Sequence, residues 1–362
     1  ERQAADIIKS ISGKPVSTSH QLSAKLNGPK RALTALLNAR LIGMIDRLIR
    51  RASDQLISLG IRAPMMVVRG DGALISQEQA RDKPIETILS GPAASIVGAS
   101  WLTHANNAIV SDIGGTTTDV ALLKGGRPAI DPMGAQVGPY RTMVEAVTMR
   151  TTGLGGDSEV HLIFDSLESG ITLGPKRVLP VSLAAIENPD VVHAALDEQL
   201  KSSLPGELDG RFVRSTVFKP QANLHDRDQR LLKKLETSLK PLGNVIANRL
   251  DRQALVRLVN WGLAEISALT PTDASHVLGF TDVWDKMAAV KALRIFGRQR
   301  TKAGVAFCND ATSLAQKIFD QLTHQTALAL LETAFFEEVV DFSKKIKKLI
   351  VITRGEKGAL AI

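Results

Sequence analysis

The sequence contains little cysteine and few aromatic residues. Cys308 is its single cysteine, and Phe, Trp and Tyr together make up 4% of its 362 residues. One cysteine excludes a framework of internal disulfides and is typical of a reducing compartment. Although the net charge is +8, so few aromatic rings leave no platform on which nucleic-acid bases could stack. We therefore predict a cytoplasmic protein that does not bind nucleic acid.

Long hydrophobic runs and metal-binding motifs are also missing. The chain has no run of about 18 uncharged apolar residues, the length that a membrane-spanning helix needs, and no signal sequence at its start. It also lacks the His-Glu-x-x-His and paired-cysteine patterns of zinc sites. We therefore predict no membrane span and no zinc. A composition of 44% hydrophobic and 23% charged residues predicts a globular chain long enough for two domains.

The most informative segment that is present is SDIGGTTTDVALL, at residues 111–123. Apolar, often β-branched residues stand on both sides of a Gly-Gly-Thr-Thr-Thr turn, which predicts a β-hairpin. Gly114 and Gly115 are free to adopt positive φ and lack a Cβ, so backbone N–H groups beside them can approach an anion. The threonine hydroxyls that follow add donors. The segment fits a phosphate-binding hairpin, and it equally fits an ordinary tight turn capped by its polar side chains.

Two carboxylates flank this turn, one before it and one after it. Asp112 and Asp119 repel phosphate and are unsuited to bind it directly. A hard divalent cation such as Mg²⁺ prefers carboxylate and water oxygens. We predict that these two side chains hold such a cation, or orient an attacking water, beside bound phosphates.

Periodicity and composition outline the rest of the chain. Residues 226–317 are mostly helical in pattern and predict a helical subdomain. Residues 202–230, rich in Pro, Gly and mixed charge, predict a linker. Helical spacing also predicts a long helix early in the chain. Its apolar positions are Leu33, Leu37, Leu41, Met44, Leu48 and Leu56.

Two further segments stand in a fixed order around the hairpin. A run of small residues, GPAASIVGA, precedes it at 91–99, and GLGGDS follows it at 153–158; we name the second segment the glycine loop. Alone, the first fits close helix packing and the second fits a flexible connector. The order of the three segments is more specific than any one of them.

This order resembles the second half of the actin-like ATPase (ribonuclease H-like) fold, an α/β fold of two lobes. The wording is most similar to the hydantoinase A and 5-oxoprolinase family, through MMVVRGDGALIS, PIETILSGPAASIVGA, SDIGGTTTDVALL and LTPTDASHVLG. The resemblance implies that residues 1–103 end the first lobe with an interdomain hinge helix. Residues 104–362 would form the second lobe, with a helical insertion at 226–317. The family's earlier Asp-Gly-Gly-Thr hairpin does not precede Glu1, so we expect an incomplete first lobe that could leave this chain inactive alone.

The same resemblance implies a function. Members hydrolyse a cyclic amide or imide, such as a hydantoin or 5-oxoproline ring, with ATP and Mg²⁺ and through a phosphorylated intermediate. It also implies a small cyclic amide as substrate and either a partner subunit or a homo-oligomer. Asp112 and Asp119 would be catalytic and would bind Mg²⁺. The nucleotide contacts would be Gly114, Gly115, Thr116, Thr117, Gly155, Gly156 and Asp157.

Two alternatives to this function stay open. A kinase or carboxylase subunit on the same fold would pass the phosphorylated intermediate on rather than hydrolyse it, and a non-catalytic module would bind nucleotide without turnover. The family-like phrases also contain candidate substrate contacts, although lone histidines and loop aspartates are more often caps or surface groups. These candidates are Ser19, His20, Arg69, Asp71, Asp273 and His276.

Overall fold

The computed structural model describes residues 1–164, 170–217, 224–235, 238–336, 349–355 and 358–361. Its helices are α1 (Arg2–Ser12), α2 (Ser19–Leu22), α3 (Gly28–Ser58), α4 (Gln77–Asp82), α5 (Ser90–Thr103), α6 (Val181–Glu187), α7 (Pro189–Lys201), α8 (Asp226–Leu235), α9 (Leu242–Val245), α10 (Arg249–Asn260), α11 (Pro271–Leu278), α12 (Lys286–Gly297) and α13 (Ala311–Phe336), with a 3₁₀-helix at Pro84–Thr87. Measured against the length and hydropathy of a bilayer span, none of these described helices qualifies.

The strands are short, and most belong to one of two larger sheets. They are β1 (Met66–Val68), β2 (Leu74–Ser76), β3 (Ala108–Ile113), β4 (Thr118–Lys124), β5 (Arg127–Pro128), β6 (Gln136–Val137), β7 (Tyr140–Arg141), β8 (Met149–Thr152), β9 (Ser158–Ile163), β10 (Gly170–Arg177), β11 (Leu179–Pro180), β12 (Phe212–Ser215), β13 (Lys240–Pro241), β14 (Ala264–Ala268), β15 (Leu349–Gly355) and β16 (Gly358–Ala361).

The chain divides into two compact units. Unit 1 consists of Glu1–Asp112, Asp119–Thr151 and Leu330–Ile362, and unit 2 consists of Ile113–Thr118 and Thr152–Ala329. The predicted boundary between residues 103 and 104 and the incomplete first lobe stay predictions.

A six-stranded sheet with the order β16-β15-β3-β4-β5, in which β8 also pairs with β4, forms the centre of unit 1. The predicted hairpin strands β3 and β4 are therefore confirmed as neighbours. Successive side chains of a strand point to opposite faces. Val110, Ala121 and Leu123 pack against α5 on one face, whereas the other face packs against the end of α13. The small residues of α5 allow this close packing, which agrees with the predicted small-residue helix.

The long helix α3 is confirmed, but the predicted apolar stripe is not its buried face. Met44 is 53% exposed and Leu48 is 61% exposed. The buried residues of α3 are Thr34, Asn38 and Ile49. Asn38 uses its amide nitrogen to bond Ser17 Oγ at 2.8 Å and its amide oxygen to accept from the Ile85 N–H at 3.1 Å. Polar bonds, in addition to apolar packing, therefore set the orientation of α3.

Unit 2 is a mixed α/β unit around a sheet with the order β11-β14-β12-β13. β14 runs parallel to β11 and antiparallel to β12. On one side of β12, Phe212 packs in a core with α6, α7 and α12. On the other side, Val213 packs in a core with α8 and α10. Helices thus cover both faces of this sheet.

The linker predicted at residues 202–230 is wrong in its central part. β12 lies inside this segment and occupies an inner position of the unit 2 sheet. Both Phe212 and Val213 have no exposed surface. Residues 218–223 of the predicted linker lie outside the described residues.

Candidate functional site

The predicted phosphate hairpin ends in a tight turn at residues 114–117, which we name the hairpin tip. The backbone N–H of Gly114 donates to the carbonyl oxygen of Thr117 at 2.9 Å and closes the turn. Neither Gly114 nor Gly115 adopts the positive φ that glycine permits. Their missing Cβ atoms matter for another reason, which is the approach of a second backbone segment.

The glycine loop is that second segment, and it packs on the hairpin tip within unit 2. Gly156 N–H donates to Gly114 O at 3.1 Å, and Asp157 N–H donates to Gly115 O at 2.8 Å. A Cβ on Gly155 would lie 2.5 Å from the carbonyl oxygens of Gly114 and Gly115, too close for real atoms. The structure therefore brings the predicted nucleotide-contacting residues of both segments together, while their role stays a prediction.

The hairpin tip carries backbone donors for which the described part of the chain offers no acceptor. Across the described ranges, no group accepts a hydrogen bond from the backbone N–H of Gly115, Thr116 or Thr117. Thr118 differs, because its hydroxyl donates to Leu154 O at 2.7 Å and the residue is fully buried. Adjacent unused N–H groups in a tight turn are the donor set of anion-binding loops. Thr118 is thus structural, whereas ligand binding by Gly115, Thr116 and Thr117 stays a prediction.

Helix α11 holds the glycine loop from another direction, again within unit 2. Thr272 N–H and its hydroxyl each lie 2.8 Å from Gly156 O, and the hydroxyl also lies 3.2 Å from Asp157 Oδ1. Asp157 Oδ2 accepts from Arg177 Nε at 3.1 Å. Sequence reasoning missed Thr272 and Arg177. The one available signal was that Thr272 stands in the family-like phrase LTPTDASHVLG.

The two predicted metal ligands are each oriented by a hydroxyl within unit 1. Ser95 of α5 donates to Asp112 Oδ2 at 2.8 Å, and Thr151 donates to Asp119 Oδ1 at 2.6 Å. Ser95 and Thr151 are further residues that sequence reasoning missed, since neither stands out from its segment. Asp112 is only 7% exposed, so the surrounding protein restricts the orientations that its carboxylate can adopt.

The described residues contain no group of three or more His, Cys, Asp or Glu side chains that could hold a metal ion. Mg²⁺ is usually bound by one or two carboxylates, with waters and substrate phosphates as its other ligands. Asp112 and Asp119 supply two carboxylates, which agrees with the usual ligands of Mg²⁺. Binding of Mg²⁺ by these two residues stays a prediction.

Asp273, a candidate substrate contact, is a buried structural residue. Its carboxylate accepts from the N–H and hydroxyl of Thr270 at 3.0 and 2.9 Å, and from the N–H and hydroxyl of Ser182 at 2.8 and 2.6 Å. Burial raises the pKa of the Asp273 carboxyl, and these hydrogen bonds oppose that rise. Because Asp273 has no exposed surface, the prediction of a substrate contact is wrong. It completes a capping box with Thr270, the N-cap residue of α11, and it accepts hydrogen bonds from the first two N–H groups of α6.

His276 is likewise used inside the protein. It is 1% exposed. Its Nδ1 lies 2.8 Å from Thr272 O, and its Nε2 lies 3.0 Å from the Trp284 N–H. Nε2 must accept that bond, so the ring proton belongs on Nδ1. The ring also stacks on Trp284 with a centroid distance of 5.6 Å. His276 is therefore a structural link, and its prediction as a substrate contact is wrong.

The other four substrate candidates lie in unit 1. Arg69 pairs with Asp71, and its hydrogen bond holds the pKa of Asp71 below the usual value. Ser19 Oγ and His20 Nδ1 lie 2.7 and 3.0 Å from the Glu1 carboxylate. The hydrogen bond from Ser19, together with that from His20, lowers the pKa of Glu1 to about 2. A substrate role for these residues stays a prediction.

The chain is a mixed α/β protein in which two glycine-lined segments meet at the hairpin tip. Comparison with known protein families identifies the family to which it belongs. Residues 31–282 match the model of the Hydantoinase/oxoprolinase family. Because the match covers most of the chain, the chain belongs to this family, and the resemblance found in the sequence is confirmed.

Two curated relatives are enzyme subunits. The caprolactamase subunit alpha of Pseudomonas jessenii is 29% identical over 150 residues, which are 41% of this chain and 21% of that protein. The acetone carboxylase beta subunit of Xanthobacter autotrophicus is 30% identical over 188 residues, which are 48% of this chain and 25% of that protein. The chain thus matches a quarter or less of the length of these relatives.

A solved structure supports the fold. The crystal structure of ATP-dependent caprolactamase from Pseudomonas jessenii is similar with a TM-score of 0.52 and 19% sequence identity. The similarity covers 98% of this chain and 43% of that chain. At this identity the similarity shows the fold alone. The predicted α/β class is confirmed, and the two-lobe actin-like arrangement stays a prediction.

Proposed function

We propose that the chain contributes the phosphate-binding part of an ATP-dependent enzyme that opens a cyclic amide or imide, on a two-lobe actin-like fold. The observation that carries this proposal is the hairpin tip, whose N–H groups at residues 115–117 have no acceptor among the described residues and whose backbone is fixed by the glycine loop. Membership of the Hydantoinase/oxoprolinase family and similarity to a caprolactamase subunit support it.

In this proposal the chain binds and orients phosphate groups. The N–H groups of the hairpin tip donate to phosphate oxygens, and the hydroxyls of Thr116 and Thr117 add further donors. Gly155 and Gly156 have no side chain, so the glycine loop can approach the same phosphates. Bound ATP would supply the phosphoryl group that turns the carbonyl oxygen of a poorly electrophilic amide into a leaving group. Positioning and charge neutralisation are the protein's main contribution to this kind of transfer.

In the same proposal, Asp112 and Asp119 would hold Mg²⁺. They directly precede and follow the segment 113–118 in the chain, and hydroxyls of Ser95 and Thr151 orient them. With two carboxylates from the protein, waters and phosphate oxygens would be the other ligands of the ion. The donor set therefore fits the ion.

Calorimetry with Mg·ATP and Mg·ADP tests the site. We expect the protein to bind both nucleotides, and we expect Asp112→Asn to lose the Mg²⁺-dependent part of the affinity. Asp54→Asn is the matched control, because it removes the same charge from an exposed position on α3. Equal affinities of the Asp112 and Asp54 variants would refute the metal assignment, and no binding by any form would refute the nucleotide site.

A carboxylase subunit is the second candidate, because the acetone carboxylase beta subunit is also a relative. ATP turnover separates the two reactions. Turnover that requires a hydantoin, 5-oxoproline or another lactam supports the ring-opening enzyme, whereas turnover that requires a small ketone and bicarbonate supports the carboxylase. Both relatives are named as subunits, so we include a partner subunit in the proposal and would run the assay with and without it.

A further inference from the structure

The Asp157 carboxylate, predicted to contact nucleotide, is already engaged by protein groups. Its Oδ2 accepts from Nε of Arg177 at 3.1 Å and lies 3.1 Å from Nη2 of the same residue. Its Oδ1 lies 3.2 Å from the Thr272 hydroxyl. Asp157 is 8% exposed. A buried carboxylate with a cation on one oxygen and a hydroxyl on the other is suited to holding its partners in place, and its charge would repel a phosphate.

The Arg177 guanidinium has N–H donors that do not contact Asp157. Its side chain is 59% exposed, against 11% for Asp157. A guanidinium has five N–H donors, and the contacts with Asp157 use only its Nε and Nη2 edge. The rest of the group therefore faces solvent while one edge is fixed.

The carboxylate also sets the distance between Arg177 and the hairpin tip. Asp157 Oδ2, the atom that Arg177 binds, would lie only 2.7 Å from a Cβ placed on Gly115. The Asp157 N–H in turn donates to Gly115 O at 2.8 Å. The Asp157 carboxylate thus lies between the Arg177 guanidinium and the backbone of the hairpin tip. All of these residues belong to unit 2.

We infer that Arg177 contacts phosphate oxygens of the bound nucleotide, and that Asp157 and Thr272 are positioning residues that hold its guanidinium beside the hairpin tip. The inference rests on the proposed function. The tip offers neutral donors, and Asp112 and Asp119 add negative charge, so a polyphosphate needs cationic groups as well as Mg²⁺. A planar guanidinium binds phosphate oxygens through parallel, charge-assisted hydrogen bonds.

The test measures the binding of ATP, ADP, AMP and adenosine to the unaltered protein and to three variants by calorimetry. We expect Arg177→Gln to weaken ATP binding by about tenfold or more, as the loss of a charge-assisted hydrogen bond predicts. We expect a smaller loss for AMP and no loss for adenosine, because only the phosphates are contacted. Arg177→Lys should recover part of the affinity. Lys176→Gln removes the neighbouring exposed charge and should leave the affinity unchanged.

Thr272 supplies an independent arm of the test. Thr272→Ser keeps the hydroxyl that lies beside Gly156 O and Asp157 Oδ1, and Thr272→Val removes it with little change of shape. We expect Thr272→Val to weaken ATP binding and Thr272→Ser to retain it. Equal losses in both variants would contradict a positioning role for the hydroxyl.

The outcomes separate this inference from the proposed function. If the unaltered protein binds ATP and Arg177→Gln binds it as tightly as Lys176→Gln does, the inference is overturned while the nucleotide site stands. If Arg177→Gln weakens the binding of adenosine as much as the binding of ATP, the residue acts through the fold and the inference is again overturned. If the unaltered protein binds neither ATP nor ADP, the proposed function fails and the inference fails with it.

Discussion

The hydroxyl of Thr118 donates a hydrogen bond of 2.7 Å to the carbonyl oxygen of Leu154, and both residues are buried. Thr118 directly follows the hairpin tip, and Leu154 belongs to the glycine loop. This bond therefore fastens together the two segments that we propose to bind nucleotide.

We expect Thr118→Val to lower the free energy of unfolding by about 1–3 kcal/mol, because it leaves a buried carbonyl without its donor. Thr142→Val is the matched control, since the Thr142 hydroxyl also donates to a buried carbonyl, that of Ala135, at 2.9 Å. Urea unfolding should show a lower free energy of unfolding for both variants. Calorimetry should show weaker ATP binding only for Thr118→Val, and unchanged affinity there would contradict the role of the bond in shaping the site.

Gly155→Ala should abolish nucleotide binding. Its Cβ would lie 2.5 Å from Gly114 O and Gly115 O, so the glycine loop must move away from the hairpin tip. Gly243→Ala in α9 is the control, because nothing lies within 4 Å of its added Cβ. We expect circular dichroism to show a folded protein in both cases. Retained ATP affinity in Gly155→Ala would show that contact between the two segments is unnecessary.

Asp273→Asn should destabilise unit 2 by about 2 kcal/mol or more, because an amide cannot accept all the hydrogen bonds that the buried carboxylate accepts from Thr270 and Ser182. The measurement is the free energy of unfolding in urea. Asp282→Asn, at an exposed position four residues beyond α11, serves as the control and should change it little. A stable Asp273 variant that lost only activity would instead restore Asp273 as a substrate contact.

Asp285 should make stability depend on pH in the acid range. Burial acts to raise the pKa of its carboxyl, but hydrogen bonds from the Ala288 amide and from His193 outweigh burial, and the pKa is lowered. The unfolded chain then binds the proton more readily than the folded one. The ionised Asp285 carboxylate therefore stabilises the folded protein above about pH 3.9, the ordinary aspartate pKa. This stabilisation is lost as the pH falls through the lower folded value.

The corresponding experiment compares urea midpoints of the unaltered protein and Asp285→Asn at a series of pH values. Asparagine keeps a capping oxygen at the start of α12 but cannot ionise. We expect the unaltered protein to be more stable at about pH 5 and the difference to shrink towards pH 3. A difference that grows as the pH falls would have the wrong sign and would contradict the lowered pKa.

Local patterns were sufficient to predict the hairpin, α5 and the glycine loop. Each is encoded in consecutive residues, through strand periodicity around Gly114 and Gly115 or a run of small side chains. The periodicity of α3 correctly predicted a helix, yet its apolar positions are not the buried ones, and the buried Asn38 forms hydrogen bonds to distant chain segments. Apolar spacing does not report such bonds.

Contacts between distant residues were beyond the reach of sequence patterns. The Thr272 hydroxyl meets Asp157 across 115 positions, and Asp273 meets Ser182 across 91. An aspartate that caps a buried helix and an aspartate that contacts substrate look alike in a sequence. β12 was missed for a related reason, because four residues amid Pro and Gly show no periodicity and become a strand only by pairing with β13 and β14.

The position of β14 in the unit 2 sheet has a consequence for protein synthesis. β14 lies between β11 and β12, but it leaves the ribosome after both of them. Until Ala264–Ala268 emerge, the nascent chain has no strand to join β11 to β12, and the apolar side chain of Phe212 also lacks its cover from α12, which emerges later still. Late pairing of this kind prolongs the exposure of aggregation-prone surface. We therefore expect nascent unit 2 to depend on molecular chaperones until both β14 and α12 have emerged.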